Sequence, residues 1–273
     1  MLVVVDTGGT KTLVASFDSK GVLGAQTKFE TPRNPEKYIE ELKNILTKDY
    51  SDKEVEAIII AIPGIIKDGI ATWCPNLGWK NFDVGSELKG ILGKAPIFVE
   101  NDANLAGLAE TRMLKTKPAL SLYVTVSTGI GSGVIIDGHI NAAMRHSEAG
   151  HALVEFDGAV REWESFASGK AIYNIYGKYA RDITSVRTWN QIADRISRGF
   201  LAVIPILQPE IVIFGGSIGT YFDKYSKQLN AILKEKLPSF IPCPKFVQAK
   251  YPELAVIYGC YYYAIDNINT KSA

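Results

Sequence analysis

The sequence has few cysteines and no pattern of them that would support a covalent or metal framework. Only three occur in 273 residues, Cys74, Cys243 and Cys260, and they lie far apart. A sparse, odd number of cysteines excludes a disulfide framework and a four-cysteine zinc site, and it is typical of a reducing compartment. We therefore expect a cytoplasmic protein.

Long apolar runs and an excess of charge of either sign are also absent. The longest apolar stretches, near residues 58–66 and 254–264, are shorter than the roughly 20 residues of a membrane-spanning helix. The apolar N-terminus lacks a basic lead-in and reaches an acid at Asp6, which favours a buried strand over a signal peptide. Lysine and arginine number 30 against 29 aspartates and glutamates, without a basic cluster. Nucleic-acid binding needs several cations that neutralise phosphates, so we expect no nucleic acid as partner. The short apolar stretches lead us to expect no membrane as partner.

Short apolar runs alternate with helical apolar spacing along the whole chain, which predicts an α/β protein. Strands are predicted at Leu2–Val5, Lys11–Phe17, Ala57–Ile62, Ile97–Val99, Leu120–Val126, Gly133–Ile136 and Ile211–Phe214. Helices are predicted at Pro35–Lys48, Ala103–Leu114, Ser165–Tyr179, Thr188–Leu207, Tyr221–Glu235 and Tyr258–Ile268. A short basic segment ending at Pro118 predicts a boundary between domains of residues 1–117 and 118–257. The C-terminal helix, at about residues 258–273, could pack back on the first domain.

A strand-loop-strand unit occurs twice. The segments Val5-Asp6-Thr7-Gly8-Gly9-Thr10 and Val126-Ser127-Thr128-Gly129-Ile130-Gly131 each lie between two apolar strands. Glycine and threonine at a hairpin tip let backbone N–H groups and hydroxyls approach an anion. Two such tips facing each other would clamp a polyphosphate, whereas either loop alone can equally be an ordinary glycine-rich turn.

Acidic and basic side chains at two strand ends could carry chemistry. Asp6 could hold Mg²⁺ through water, and Lys11 could meet phosphate oxygens, although a turn-capping acid and a solvated lysine are the structural alternative. The segment Glu100-Asn101-Asp102 ends a strand and opens a helix. Asp102 or Asn101 can therefore be a helix cap, while a carboxylate at such a strand end is also where an α/β site places a general base. The two roles can coexist.

Two further elements suit a ligand with a flat ring and hydroxyl groups. The Gly215-Gly216-Ser217 segment lets a ring or ribose lie against backbone, or it is a tight strand-to-helix turn. Glu148, His151 and Glu164 combine hydrogen-bond acceptors with a potential donor, although a lone histidine is more often a packed or surface residue. Pro63-Gly64 and Pro75-Asn76, near Trp73 and Trp79, would complete a pocket wall or form plain turns.

Taken in order, these motifs resemble the ROK family of bacterial sugar kinases. The resemblance runs nearly end to end and rests on residues 6–12, 63–64, 75–76, 100–104, 127–133, 148–151, 164–169 and 215–217. It implies two ribonuclease-H-like α/β domains of the actin-like ATPase type, with a cleft between them. It also implies ATP-dependent phosphorylation of a hexose or N-acetylhexosamine at the 6-hydroxyl, with glucose as the default substrate.

The resemblance also implies a role for each matching residue. Asp102 would be the general base that takes a proton from the sugar hydroxyl. The implied sugar-binding residues are Gly64, Asn76, Asn101, Asp102, Glu148, His151 and Glu164. The implied residues for Mg-ATP are Asp6, Gly8, Gly9, Thr10, Lys11, Thr128, Gly129, Gly215 and Gly216. Among them, Asp6 would hold the magnesium ion, through water.

One departure from the family concerns zinc. Family members carry a Cys-x-Cys-Gly-x-x-Gly-Cys zinc motif, with a further ligand matching His151, whereas residues 157–162 here contain no cysteine. We therefore expect no structural zinc, which leaves His151 for the sugar or for packing.

Several alternatives to an ATP-dependent kinase stay open at this point. They are a sugar-binding pseudokinase, a sugar-responsive regulator and a kinase that uses polyphosphate. The regulators of the family carry an added N-terminal DNA-binding domain, and the position of the first loop at Asp6 leads us to expect no such domain here. A homodimer is usual in the family, and Trp189 or residues 261–263 could form its interface or pack in a core.

Overall fold

The computed structural model describes residues 1–251 and 253–269, the last of them by its backbone alone. The chain divides into unit 1, Met1–Ala109 with Glu253–Ala273, and unit 2, Glu110–Pro252. The domain boundary that the sequence predicts between residues 117 and 118 stays a prediction. In the described part of the chain, no helix is both long and apolar enough to cross a bilayer.

Unit 1 is built from a five-stranded sheet, a three-stranded sheet and helices. Its strands are β1 (Leu2–Thr7), β2 (Lys11–Phe17), β3 (Leu23–Glu30), β4 (Ala57–Ile62), β5 (Ile65–Lys67), β6 (Ile70–Cys74), β7 (Trp79–Phe82) and β8 (Ile97–Asn101). Its helices are α1 (Pro35–Tyr50), α2 (Val84–Glu87) and α3 (Asp102–Arg112), which continues into unit 2.

The larger sheet of unit 1 has the order β3-β2-β1-β4-β8, in which β1, β4 and β8 are parallel. The register places Asp6 beside Ala61, and Ala61 beside Glu100. Because parallel strands end at the same edge of a sheet, Asp6 and the Glu100-Asn101 strand end reach one edge. That edge is where the sequence predicts the acidic residues of the site.

Unit 2 contains a second five-stranded sheet. The five strands of this sheet are β9 (Leu120–Val126), β10 (Ile130–Ile136), β11 (His139–Ile140), β14 (Ile211–Gly215) and β15 (Lys245–Gln248), and a separate pair is formed by β12 (Leu153–Phe156) and β13 (Ala159–Glu162). Its helices are α4 (Trp163–Ala167), α5 (Gly169–Tyr176), α6 (Val186–Leu207), α7 (Gly216–Gly219) and α8 (Phe222–Lys236). The chain then returns to unit 1 as α9 (Ala255–Asn269).

The sheet of unit 2 has the order β11-β10-β9-β14-β15. The β9–β10 hairpin is joined to the parallel strands β14 and β15, just as the β1–β2 hairpin is joined to β4 and β8. The α/β fold class and the two predicted hairpins are therefore confirmed. The core of this unit includes Trp163, whose ring centroid lies 5.1 Å from that of Phe200.

Two helices cover opposite faces of the sheet in unit 1. On one face Thr7 Oγ1 lies 2.7 Å from the hydroxyl of Tyr38 in α1. On the other face lies Phe17, which pairs with Leu2. The centroid of its ring lies 5.6 Å from that of Tyr258 and 4.8 Å from that of Tyr261, both in α9. Since side chains alternate along a strand, α9 covers the face that also carries Asp6.

The structure corrects the predicted helix Ser165–Tyr179. Ser168 is extended, with ψ 162°, and divides the segment into α4 and α5. The Ser168 hydroxyl accepts a hydrogen bond from the Ala171 N–H and so starts α5, which Gly177 ends at φ +64°. The sequence prediction also missed the short or polar strands β3, β5–β7, β11–β13 and β15.

Trp189 packs inside unit 2. It is 2% exposed, and its ring stacks on Tyr225 at 5.7 Å. It belongs to the core rather than to an exposed surface. Tyr261 packs against Phe17 within unit 1.

Candidate functional site

The turn between β1 and β2 presents exposed polar groups at the edge of the sheet. The Gly8 N–H donates to the Lys11 carbonyl at 2.9 Å, and a Cβ on Gly8 would lie 2.8 Å from that oxygen. This close approach requires glycine. Gly9 and the side chains of Thr10 and Lys11 are exposed. Backbone N–H groups, a hydroxyl and an ammonium group are thus available at one turn, which suits an anion.

Two carboxyl groups lie near this turn, and both bind protons unusually tightly. Burial, together with the smaller effect of repulsion from Asp102, raises the pKa of Asp6 to about 7. Burial also raises the pKa of Asp102 to about 6, against the opposing effect of hydrogen bonds from backbone N–H groups, including that of Ala103 at 2.8 Å. Carboxyl groups that titrate close to neutral pH are typical of functional sites.

The turn from β8 into α3 is held by Asn101 and Glu100. Asn101 Oδ1 accepts from the Asn104 N–H at 3.0 Å and caps α3, while its Nδ2 donates to the Gly64 carbonyl at 2.8 Å. The Glu100 side chain is 1% exposed, and its Oε1 accepts from the Asn101 N–H at 2.9 Å and from Asn104 Nδ2 at 3.0 Å. The cap is therefore Asn101, and Asp102 is the first helical residue.

Gly64 and Asn76 come from the segment between β4 and β7. Gly64 has φ +113°, and a Cβ there would collide with the Trp73 carbonyl, so the position requires glycine. This conformation lets its carbonyl accept from Asn101. Asn76 is exposed, and its Cβ lies 3.8 Å from where a Cβ on Gly9 would be. Unit 1 thus places the β1–β2 turn beside Asn76, and Gly64 beside Asn101.

In unit 2, Ser127 joins the second hairpin turn to two helix starts. The Ser127 N–H donates to the Gly129 carbonyl at 2.9 Å, and its own carbonyl accepts from the Gly169 N–H at 2.6 Å. Its Oγ accepts from the Ser217 N–H at 3.1 Å. Gly216 has φ +80°, and a Cβ there would lie 2.6 Å from Ser127 Oγ. The second loop and the Gly215–Gly216 turn therefore touch, and a side chain at residue 216 would force them apart.

A cavity of about 500 Å³ opens beside these two turns within unit 2. It is lined by Ser127, Thr128, Gly169, Lys170, Tyr173, Tyr179, Ala180, Arg181, Ser217, Ile218, Thr220 and Tyr221. The rings of Tyr173 and Tyr179 lie 4.6 Å apart, and the Arg181 guanidinium lies 5.0 Å from the Tyr179 ring. Gly129, Gly215 and Gly216 do not line the cavity.

The sequence did not predict four residues of this cavity, which are Lys170, Tyr173, Tyr179 and Arg181. The one sign of a binding site was the group of aromatic and basic residues in a short segment. A single helix to Tyr179 was predicted there, whereas Gly177 turns the chain and brings Tyr179 back beside Tyr173.

Around β10, the structure brings His151 and Glu164 together with Glu162. His151 Nδ1 lies 3.3 Å from Glu162 Oε2, and Glu164 Oε2 accepts from the Ile130 N–H at 3.0 Å. One ligand atom from each of His151, Glu162 and Glu164 lies within 4.8 Å of the others, the one such cluster found among residues 1–251 and 253–269. Glu148 precedes the short 3₁₀ turn Ala149–His151.

The cysteines do not fit the zinc site of the resembled family. Cys74 and Cys260 are buried in unit 1, and burial raises the pKa of Cys74 to about 12. Burial also raises the pKa of Cys243, in unit 2. Zinc needs deprotonated thiolates, and no cysteine belongs to the His151 cluster described above. Magnesium is a different matter, because it prefers carboxylate oxygens and water, and a cation beside Asp6 would relieve the repulsion from Asp102.

Comparison with known proteins shows the family to which the chain belongs. A family model described as "ROK family" matches residues 2–267. A putative fructokinase from Bacillus subtilis strain 168 is 28% identical over 237 residues, which cover 80% of this chain and 77% of that protein. A xylose repressor from Caldicellulosiruptor bescii is 24% identical over 260 residues, which cover 80% of this chain and 64% of the repressor.

Solved structures show the same fold. An inorganic polyphosphate/ATP-glucomannokinase from Arthrobacter sp. strain KM matches with a TM-score of 0.71 and 28% identity, over 99% of this chain and 98% of that one. A ROK hexokinase from Thermus thermophilus matches with a TM-score of 0.77 and 25% identity, over 100% of this chain and 99% of that one, and this chain shares the two-domain actin-like ATPase fold of such neighbours. The family model spans nearly the whole chain, and this chain therefore belongs to the ROK family.

Proposed function

We propose that this protein transfers the γ-phosphoryl group of ATP to the 6-hydroxyl of a hexose or N-acetylhexosamine, with glucose as the default acceptor. The observation that carries the proposal is the Asp102 carboxyl group. It lies at the carboxyl end of a parallel strand, and its pKa is raised to about 6. Such a group is ionised at neutral pH and is still basic enough to accept a proton from an attacking hydroxyl.

Unit 1 supplies the base and a place for phosphate. Asp102 takes the proton of the sugar hydroxyl while Asn101, fixed by Gly64 and Asn104, holds the sugar beside it. The turn offers the backbone N–H groups of Gly9 and Thr10 to phosphate oxygens, and Lys11 adds a positive charge. When Mg²⁺ is bound with ATP, it neutralises charge on the transferred phosphate, and Asp6 is the residue we assign to hold it through water.

Unit 2 supplies the nucleotide cavity. Thr128 lines it on the side of the hairpin turn, where a hydroxyl can bind phosphate, and Tyr173 and Tyr179 offer aromatic surface for a base. Aromatic surface favours a nucleotide over polyphosphate, which has no ring to stack. Gly129, Gly215 and Gly216 shape the turns beside the cavity. We assign Glu148, His151 and Glu164 to contacts with sugar hydroxyls.

The alternative is a protein that binds sugar without transferring phosphate, either a pseudokinase or a regulator. The similarity to a xylose repressor supports it. The two proposals differ at Asp102, because only a kinase needs a carboxylate that accepts a proton there.

The test is an assay of sugar-dependent ADP release with Mg-ATP, run over glucose, fructose, N-acetylglucosamine and N-acetylmannosamine. Phosphorus NMR of the product identifies the phosphorylated hydroxyl. A parallel arm replaces ATP with polyphosphate and measures sugar phosphate directly. Turnover with ATP and one or more sugars supports the proposal, and turnover with polyphosphate alone changes the donor. A protein that binds sugar and ATP tightly but forms no sugar phosphate would contradict the proposal.

A further inference from the structure

One buried hydroxyl group in unit 2 is bonded to the backbone on both sides of Glu148. Ser132 lies on β10 and is 3% exposed. Its Oγ donates to the Ser147 carbonyl at 3.2 Å and accepts from the Ala149 N–H at 2.9 Å. Ser147 and Ala149 are the neighbours of Glu148 in the chain, so one oxygen atom on β10 is hydrogen-bonded to the backbone immediately before and immediately after this side chain.

The polar side chain of Ser132 is exceptional among its neighbours. Residues 130, 132 and 134 share one face of β10, and both Ile130 and Val134 belong to the hydrophobic core of unit 2. A hydroxyl buried beside such residues destabilises a fold unless it is hydrogen-bonded. Here the hydroxyl is used both as donor and as acceptor, and both partners are in the Glu148 segment.

Other contacts also act on this segment. The His151 N–H donates to the Glu148 carbonyl at 3.1 Å, which is a local bond within the 3₁₀ turn, and a Cβ on Gly150 would collide with the Ile130 carbonyl, so the segment lies against β10 there. The His151–Glu162 pair is formed by side chains that are 43% and 50% exposed, and exposed ion pairs contribute little to stability. The cysteine-zinc brace of the resembled family does not fit these residues, as shown above.

We propose that Ser132 is a positioning residue for sugar binding, which holds the Glu148 segment against β10 by its two hydrogen bonds. This inference rests on the proposed function, because Glu148 is assigned there to a sugar hydroxyl. Its effect is on sugar affinity. The nucleotide cavity is lined by other residues, so ATP binding is not involved.

The test compares Ser132→Ala with Ser197→Ala in the full-length protein. Ser197 is also fully buried in unit 2, but its Oγ donates to the Asp194 carbonyl within α6. In Ser132→Ala we expect the KM for the sugar to rise about tenfold, as the loss of a buried hydrogen-bonded pair implies, while kcat and the KM for ATP stay within about twofold. Ser197→Ala should leave all three constants near their wild-type values.

Amide hydrogen exchange without any ligand separates this inference from the proposed function. In Ser132→Ala, exchange at residues 147–151 should accelerate more than exchange in α6, whether or not the protein is a kinase. Ser132→Cys replaces the hydroxyl by a slightly larger thiol that forms only weak hydrogen bonds, so exchange and the sugar KM should shift in the same direction as in Ser132→Ala. This second variant covers the case in which Ser132→Ala does not fold.

Three results would overturn the inference. The first is an unchanged sugar KM and unchanged exchange at residues 147–151 in a folded Ser132 variant. The second is an equal rise in KM in Ser197→Ala, which would mean a general loss of stability. The third is about one metal ion per purified chain whose removal by a chelator raises the sugar KM, because the metal would then hold the segment.

Discussion

The carboxyl pair of unit 1 makes stability depend on pH in a way that the variant Asp6→Asn should remove. The pKa of Asp6 is raised from 3.8 to about 7 by burial and by repulsion from Asp102. In the folded protein Asp6 therefore holds its proton at pH values where the unfolded chain has already lost it. Ionising Asp6 costs free energy in the folded state alone, so this residue destabilises the wild-type protein increasingly as the pH rises from about 4 to about 7.

The size of the effect follows from the two pKa values. Each pKa unit corresponds to about 1.4 kcal/mol, so the full cost approaches about 4 kcal/mol above about pH 7 and falls below about 1 kcal/mol at about pH 4. This is an upper limit, because Asp6 is half-buried and water near the carboxylate reduces the cost. We therefore expect Asp6→Asn to gain stability relative to wild type between about pH 4 and about pH 8.

The assay is urea unfolding followed by circular dichroism at several pH values, in buffer without divalent cations. Asp83→Asn is the matched control, because hydrogen bonds from Ser86 lower the pKa of Asp83. That group is ionised in both states above about pH 5, so its variant should differ from wild type by a constant amount there. A difference between Asp6→Asn and wild type that does not grow with pH would refute the raised pKa of Asp6.

Two other substitutions test the phosphate loop and the core. Lys11→Ala should raise the KM for ATP severalfold with little change in the KM for sugar, because an ammonium group near phosphate oxygens is lost; exposed Lys48→Ala is the control, and an unchanged KM for ATP would remove Lys11 from the site. Gly199→Ala should lower the free energy of unfolding by about 1 to 3 kcal/mol, because its Cβ would be driven into the buried indole of Trp163. Gly85→Ala, whose Cβ would make an ordinary 3.6 Å contact with Asp83, is the control, and equal stability of Gly199→Ala and wild type in urea unfolding would contradict the packing described for Trp163.

The fold and the family could be predicted because the signals that carry them are local. The apolar runs before Asp6 and Glu100 form strands that end with acidic residues. Each strand end can be predicted from the sequence, because the apolar run stops at an acidic residue. The first glycine-threonine loop likewise depends on a local contact, since the Gly8 N–H donates to the Lys11 carbonyl. The sequence alone leaves open whether Asn101 or Asp102 caps α3, and the hydrogen bond from the Asn104 N–H to Asn101 Oδ1 identifies Asn101 as the cap.

What the sequence could not predict depends on contacts between distant residues. The strands β12 and β13 expose Leu153 and Val160, each 69% exposed, so no buried face marks them as a hairpin. Their pairing is what brings Glu162 beside His151. Ser132 gives no signal either, because a serine between two glycines is an ordinary strand or turn pattern until the partners of its hydroxyl are known. The roles assigned to individual site residues stay predictions.

The proposed role of Asp102 as the proton acceptor is tested by the kcat of Asp102→Asn with the preferred sugar and Mg-ATP. The amide keeps the shape of the side chain but cannot accept a proton as a carboxylate does. We expect kcat to fall by about 10² to 10⁴-fold, while calorimetry shows ATP affinity within a few fold of wild type. A folded Asp102→Asn protein with the kcat of the wild type would contradict it.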